Sequence, residues 1–255
     1  MKISIITVSF NSGKTVRDTI ESVLAQSYQD YEYLIIDGGS KDDTINIVKE
    51  YYPRFDGRMK YVSEPDRGLY DAINKGIHMA TGDIVGIINS DDFYHRNDIF
   101  KIIASAFETD SSIQAVYGDV RFVNSDNLDK TVRYYSSASF NPSKFRWGWM
   151  PAHPSFFTYK DNFDKYGYYK IDYQIAADFE LLLRFLYIHH LPVKYIPEDF
   201  LKMRMGGRST NGFKSNILLN REIVRGCREN GIYTNIPMLF LKYFVKIFEF
   251  VKTRN

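Results

Sequence analysis

The chain has 255 residues, 44% hydrophobic and 25% charged, enough to bury one substantial core with an appendage. Lys and Arg together number 33 against 31 for Asp and Glu, so net charge gives no reason to expect a nucleic-acid partner, and a bound anion needs a local site. The single cysteine, Cys227, excludes an internal disulfide framework and a Cys-based zinc site; it fits a reducing compartment, so a cytoplasmic location is expected.

The opening run is apolar up to Val8, but it stops at Ser9 with no small-residue cleavage pattern after it, and reads as a buried first strand rather than a signal peptide. No stretch stays apolar over the roughly 20 residues a membrane-spanning helix requires. Short β-branched runs predict strands at 2–8, 33–36, 59–63 and 84–88. Between them Val16, Ile20, Val23 and Leu24, then Ile45, Val48 and Tyr52, then Ala72, Ile73, Ile77 and Ala80 recur at helical spacing. This alternation is the pattern of an α/β fold around a mostly parallel sheet. Right-handed crossovers place the loops after the strands along one sheet edge, so Asn11, Asp37, residues 64–67 and residues 89–92 share the edge where ligands of open α/β sheets bind. Further on, a helix is expected at 98–107, antiparallel strands at 114–123 and 131–135, and an irregular loop at 136–154. A helix at 175–187, strands at 193–196 and 199–204, and a helix at 216–230 follow.

Several motifs bear on chemistry. Gly13-Lys14-Thr15 has the tail of a phosphate-binding loop, but that motif needs a glycine where Val8 stands. The G-x-G-x-x-G of nicotinamide-linked dehydrogenases is absent from the first turn. Asp37 ends the second strand before Gly38 and Gly39, which permit a tight turn, and before Asp42 and Asp43, which suit a helix cap and first turn. The helix does not need Asp37, whereas a uracil ring offers an N–H that a carboxylate accepts; on residues alone both a base-reading and a structural use stay open. Asp91 and Asp92 are adjacent acids on a tight loop, costly unless partnered, and a divalent cation on diphosphate oxygens is a natural partner. The alternative is a turn capped by Asp92 with Asp91 solvated. Asp178 precedes leucines at helical spacing and would suit an N-cap.

In order, the stretch from Ser4 to Asn11, Ile36-Asp37-Gly38-Gly39-Ser40, Glu64-Pro65-Asp66-Arg67-Gly68 with Asp71-Ala72-Ile73-Asn74-Lys75-Gly76, and Gly82-Asp83 with Asn89-Ser90-Asp91-Asp92 resemble family 2 glycosyltransferases of the GT-A fold. The run from Glu64 to Gly76 resembles bacterial enzymes of exopolysaccharide or lipopolysaccharide synthesis. The likeness is strong over residues 1–125 and weaker from there to Arg208. It implies a GT-A domain over 1–210, Rossmann-like with a mostly parallel sheet flanked by helices, and a short C-terminal helical extension over 211–255.

By position, the resemblance implies that the Val8 backbone and Phe10 flank the base, that Asp37 hydrogen-bonds it, and that Arg67 and Asn74 lie near the nucleotide with Ser90 near the ribose. The family's D-x-D signature has Asn89 in place of its first acid, which leaves Asp91 to hold Mn2+ or Mg2+. Asp178, with Ala177 where a glutamate often stands, would be the catalytic base of an inverting transfer from a nucleotide-diphosphate sugar to a hydroxyl of a glycan or lipid-linked acceptor. UDP is favoured, with GDP and dTDP as alternatives. His153, Trp147, Trp149 and Arg208 are candidates for acceptor or donor-sugar contact. The competing readings are a sugar nucleotidyltransferase, whose glycine-rich, arginine-containing loop is missing after the first strand, and an inactive carbohydrate-binding scaffold. Residues 236–252 combine apolar residues with Lys242, Lys246 and Lys252, a basic amphipathic pattern suited to the inner face of the cytoplasmic membrane or to packing on the domain or a second subunit in a homodimer.

Overall fold

The computed structural model describes residues 1–206 and 213–240. Four strands, β1 (Ile3–Ser9), β2 (Tyr31–Asp37), β3 (Met59–Ser63) and β4 (Ile84–Asn89), alternate with helices α1 (Val16–Leu24), α2 (Thr44–Tyr51) and α3 (Leu69–Met79). They form a parallel sheet in the order β3-β2-β1-β4. Alternation along the strands splits the core in two, as a side-chain period of two requires. Ile6, Val8, Leu34 and Ile36 face one apolar cluster with Ile73 and Ile77 of α3. Ile3, Ile5, Tyr33 and Ile35 face the other with Val16, Ile20, Ile47 and Val48 of α1 and α2. Each fully buried aliphatic side chain contributes about 1.5–3 kcal/mol, so both faces of these strands are covered. Polar residues inside are matched: Ser4 Oγ donates to Glu32 at 2.7 Å and the Tyr33 hydroxyl to Thr7 at 3.0 Å.

The second half turns the sheet mixed. It comprises β5 (Phe93–Tyr94), α4 (Ile99–Thr109), the hairpin β6 (Ala115–Asn124) and β7 (Asn127–Tyr135), β8 (Phe157–Tyr159), α5 (Asp161–Tyr166), α6 (Ala177–Leu183), β9 (Val193–Arg204) and α7 (Phe213–Glu229). β8 is antiparallel to both β4 and β6, and β9 is parallel to β6. Strands expected at 193–196 and 199–204 are one strand with a register shift beside Asp119. The helix expected to continue to Tyr187 does so as a π-type turn over Arg184–Ile188. β5, β8 and α5 are too short for periodicity to reveal.

The 136–154 segment is irregular apart from 3-10 turns at Pro142–Trp147 and His153–Ser155. It is pinned by buried Phe145, which meets Phe179 of α6 edge-on with centroids 5.4 Å apart. α7 is integral to the core, burying Ile223 and Cys227 in the cluster that holds α6. Among the described residues, no helix is long and apolar enough to cross a membrane. Arg208, and 241–252 of the amphipathic stretch, lie outside the described residues.

Candidate active site

The loops after β1, β2, β3 and β4 meet at one sheet edge and are laced together by short side chains. Asn11 N–H donates to Ser40 Oγ at 2.7 Å, Lys41 N–H to Asn11 Oδ1 at 2.9 Å, and Ser12 N–H to Thr44 Oγ1 at 2.8 Å. Asn11 adopts the left-handed conformation, φ 52°, which Asn tolerates better than most residues. Gly13 N–H points to the Asp42 carboxylate at 2.9 Å, so its donor is engaged within the protein rather than open to a phosphate. The lacing leaves the Phe10 ring 56% exposed, and Val8 buried beneath the edge.

Asp37 is fully buried at the end of β2. Its Oδ1 accepts from Ser9 Oγ at 3.0 Å and from Ser40 Oγ. Its Oδ2 accepts from Gly39 N–H at 3.1 Å, Ser40 N–H at 2.9 Å and Ser63 Oγ at 2.7 Å. A carboxylate offers about four lone-pair positions, so Asp37 is saturated in tying together the ends of β1, β2 and β3. That geometry favours the structural use of this acid.

On the loop after β4, Ser90 Oγ pairs with Ser12 Oγ at 2.7 Å, joining the acidic turn to the β1 loop. Burial raises Asp91 above the ordinary carboxylate range, and Asp92, deeper still, is raised further by burial and by Asp91. Asp92 accepts from Asn89 Nδ2 at 3.2 Å, while Asp91 is only partly buried. Arg204, at the end of β9, donates to the Asp91 carbonyl at 2.6 Å and pairs with Asp18. No described ion pair satisfies the Asp91 carboxylate. One accessible acid of this kind suits a hard cation that takes its other ligands from phosphate and water, although no cluster of three or more metal-binding side chains occurs among the described residues.

Asp178 is the second residue of α6, with Ala176 in the N-cap position. Lying inside the helix, Asp178 is not its N-cap, and Glu222 of α7 fixes the approach to the helix by accepting from the N–H groups of Gln174, Ile175 and Ala176 at 2.8 to 2.9 Å. Asp178 Oδ1 accepts from its neighbour Phe179 N–H at 2.7 Å. Burial pushes its carboxyl up to about 6, against the lowering effect of that hydrogen bond. The Tyr70 hydroxyl donates to the Ile175 carbonyl at 2.5 Å, bringing the start of α6 to the β3–α3 corner.

The other candidates are placed as follows. Asn74 clamps the Tyr169 backbone in both directions, at 2.8 and 3.1 Å, and Tyr169 stacks on Tyr70 with centroids 5.8 Å apart. His153 Nε2 meets the Tyr169 hydroxyl at 2.6 Å, and burial lowers its pKa to about 4, so the ring is neutral. Arg67 pairs with Asp71 at 2.8 Å and remains 73% exposed. Trp147 and Trp149 are half-buried in the loop that Phe145 anchors over α6. Arg67 and Asn74 line a groove of about 530 Å³ along α3 that contains neither Asp91 nor Asp178.

The sequence model described as glycosyl transferase family 2 matches residues 4–167. The chain belongs to that family. An uncharacterised glycosyltransferase of Mycobacterium tuberculosis is 34% identical over 185 residues, covering 71% of this chain and 68% of the relative. A PGL/p-HBAD biosynthesis glycosyltransferase of Mycobacterium bovis is 23% identical over 222 residues, covering 87% and 82%. Among solved structures, S. aureus TarS 1-349 in complex with UDP-GlcNAc superposes with a TM-score of 0.69 at 16% identity, covering 89% of this chain and 66% of that one. The mannosyltransferase PcManGT from Pyrobaculum calidifontis, in complex with GDP-Man and Mn2+, gives 0.60 at 14% identity, covering 96% and 79%. These likenesses establish the GT-A fold expected from the motifs.

Sequence reasoning missed two residues that shape the site of this glycosyltransferase, Glu222 and Arg204, and the pairing of a third, Glu180. Glu222 had no local signal, because its three partners lie 46 to 48 positions away. Arg204 closes on the acidic loop across a separation of 113 residues. Glu180 is fully buried between Arg184 at 3.0 Å and Lys170 at 3.0 Å, and only the i to i+4 spacing of Glu180 and Arg184 was readable.

Proposed function

We propose that this glycosyltransferase moves a sugar from a nucleotide-diphosphate donor, UDP-linked by preference, to a hydroxyl of a glycan or lipid-linked acceptor, with inversion at the anomeric carbon. The observation that carries the reading is Asp178: a carboxyl raised to about 6 by burial, partly accessible, and tied by the Tyr70 contact to the edge that collects the other loops. A base with a pKa near the working pH combines the right protonation state with driving force for proton removal. Asp178 would take the acceptor proton as the hydroxyl oxygen bonds to the anomeric carbon and the bond to the diphosphate breaks. Phe10 and the Val8 backbone would hold the base, with Ser90 beside the ribose.

Asp91 would hold a divalent cation, Mn2+ or Mg2+, whose charge supports departure of the diphosphate. Its raised pKa and lack of a described ion-pair partner favour such a ligand. The UDP-GlcNAc and GDP-Man complexes of the two solved relatives are in keeping with a nucleotide-sugar donor. His153, Trp147 and Trp149 are proposed to border the acceptor side, since Phe145 packs their loop against α6. The deciding experiment is a transfer assay over a panel of sugar nucleotides with and without Mn2+, comparing the wild type with Asp178→Asn. Wild-type transfer that survives the substitution undamaged refutes the role given to Asp178.

A further inference from the structure

Gly38, the residue after Asp37, has a backbone conformation open to any L residue, yet its side-chain space is already taken. A Cβ placed there would lie 2.6 Å from Oδ2 of Asp66 and 3.4 Å from the Phe10 ring. Asp66 comes from the loop after β3, which docks on the β2 turn: Glu64 N–H donates to the Asp37 carbonyl at 3.0 Å and Ser63 Oγ to the Asp37 carboxylate at 2.7 Å. Gly68 N–H holds Asp66 Oδ1 at 2.8 Å, which orients the carboxylate. Its Oδ2 has no hydrogen-bond donor among the described residues, and the side chain is only half-buried.

We infer that the nucleobase is read by Asp66, whose carboxylate crosses over the bare backbone of Gly38 to stand beside the exposed Phe10 ring, and that Asp37 builds the turn that makes this approach possible. The inference rests on the nucleotide-sugar reading above. Asp37 has five donors on about four acceptor positions and no exposure. Among the described residues, Asp66 has a free acceptor next to the exposed Phe10 ring. The chemistry selected is a ring N–H donor, which uracil presents at N3 and guanine at N1, whereas cytosine presents an acceptor at N3. A charge-assisted hydrogen bond gives a stronger contact than a neutral one.

The test is calorimetric titration of UDP, GDP and CDP, each with Mn2+, into wild type, Asp66→Asn, Gly38→Ala and the double variant. The wild type is expected to bind UDP or GDP well above CDP. Asp66→Asn should weaken that nucleotide about tenfold to a hundredfold. It should also narrow or reverse the preference over CDP, because the Asn amide can donate to cytosine N3. Gly38→Ala should fold, since the obstructing atom is the end of a flexible side chain, and should reduce affinity by displacing Asp66. The double variant should then lose no more than Asp66→Asn alone, as coupled sites do. An Asp66→Asn protein with wild-type selectivity between UDP or GDP and CDP overturns the inference while leaving the donor reading intact. A wild type that binds none of the three removes the donor reading and the inference with it.

Discussion

Replacing Asp178 by Asn should make the protein more stable and much less active, and the stability gain should depend on pH in a defined direction. The folded protein holds the Asp178 proton up to about pH 6, against 3.8 for the free side chain. Because the folded state binds that proton more tightly than the unfolded chain, ionising Asp178 lowers stability as pH rises from about 4 to 6, and the full cost stands above that window. Two pKa units correspond to at most about 3 kcal/mol. In a chain of this size that is roughly 6 to 12 °C in melting temperature. Asn keeps the acceptor for Phe179 N–H and carries no charge, so melts should show Asp178→Asn above the wild type at pH 8 and level with it at pH 4. Transfer at pH 8 should fall by about a hundredfold to ten-thousandfold. A melting difference that does not change between pH 4 and 8 would refute the burial argument, and near-normal turnover would refute the catalytic one.

Asp91→Ala should abolish the metal-dependent part of UDP stabilisation in thermal melts, because a ligand of the native state raises stability by mass action; an unchanged Mn2+ response would remove Asp91 from the site. Asp37→Asn should lower the unfolding free energy by about 3 kcal/mol or more, since it reverses one partner in a saturated buried cluster. Urea denaturation checks this, and a fully stable variant with lost nucleotide affinity would return base reading to Asp37. Glu222→Gln should move the acidic limb of the pH–rate profile to lower pH, because the Glu222 charge helps hold Asp178 up. A limb that stays in place would separate the two residues.

The first half of the fold was legible because its signals are local. β1 and β2 are apolar on both faces, the crossing helices show clean spacing, and chain order with right-handed crossovers puts the strand-end loops together. The second half was harder to read. β8 has three residues, too few for alternation to register, and its place between β4 and β6 depends on Gly86, where a side chain would overlap the Phe157 ring. The antiparallel strands expected at 114–123 and 131–135 are present as β6 and β7, and the antiparallel insertion of β8 is the part the sequence did not reveal.

The sequence by itself determined the chemistry carried on the edge: an aromatic after β1, a carboxylate after β2, adjacent acids after β4 and an acid at the start of α6, all in the order of a known enzyme family. Only the tertiary structure decided which of those groups is free to act. Asp37 is consumed by donors from three separate segments, while Asp178 lies inside α6 with its carboxyl held up by burial and by a glutamate 44 residues further along the chain. The physical reason is that a carboxylate's availability depends on how many donors reach it and how much water it loses. Both are set by residues distant in sequence that packing alone brings near.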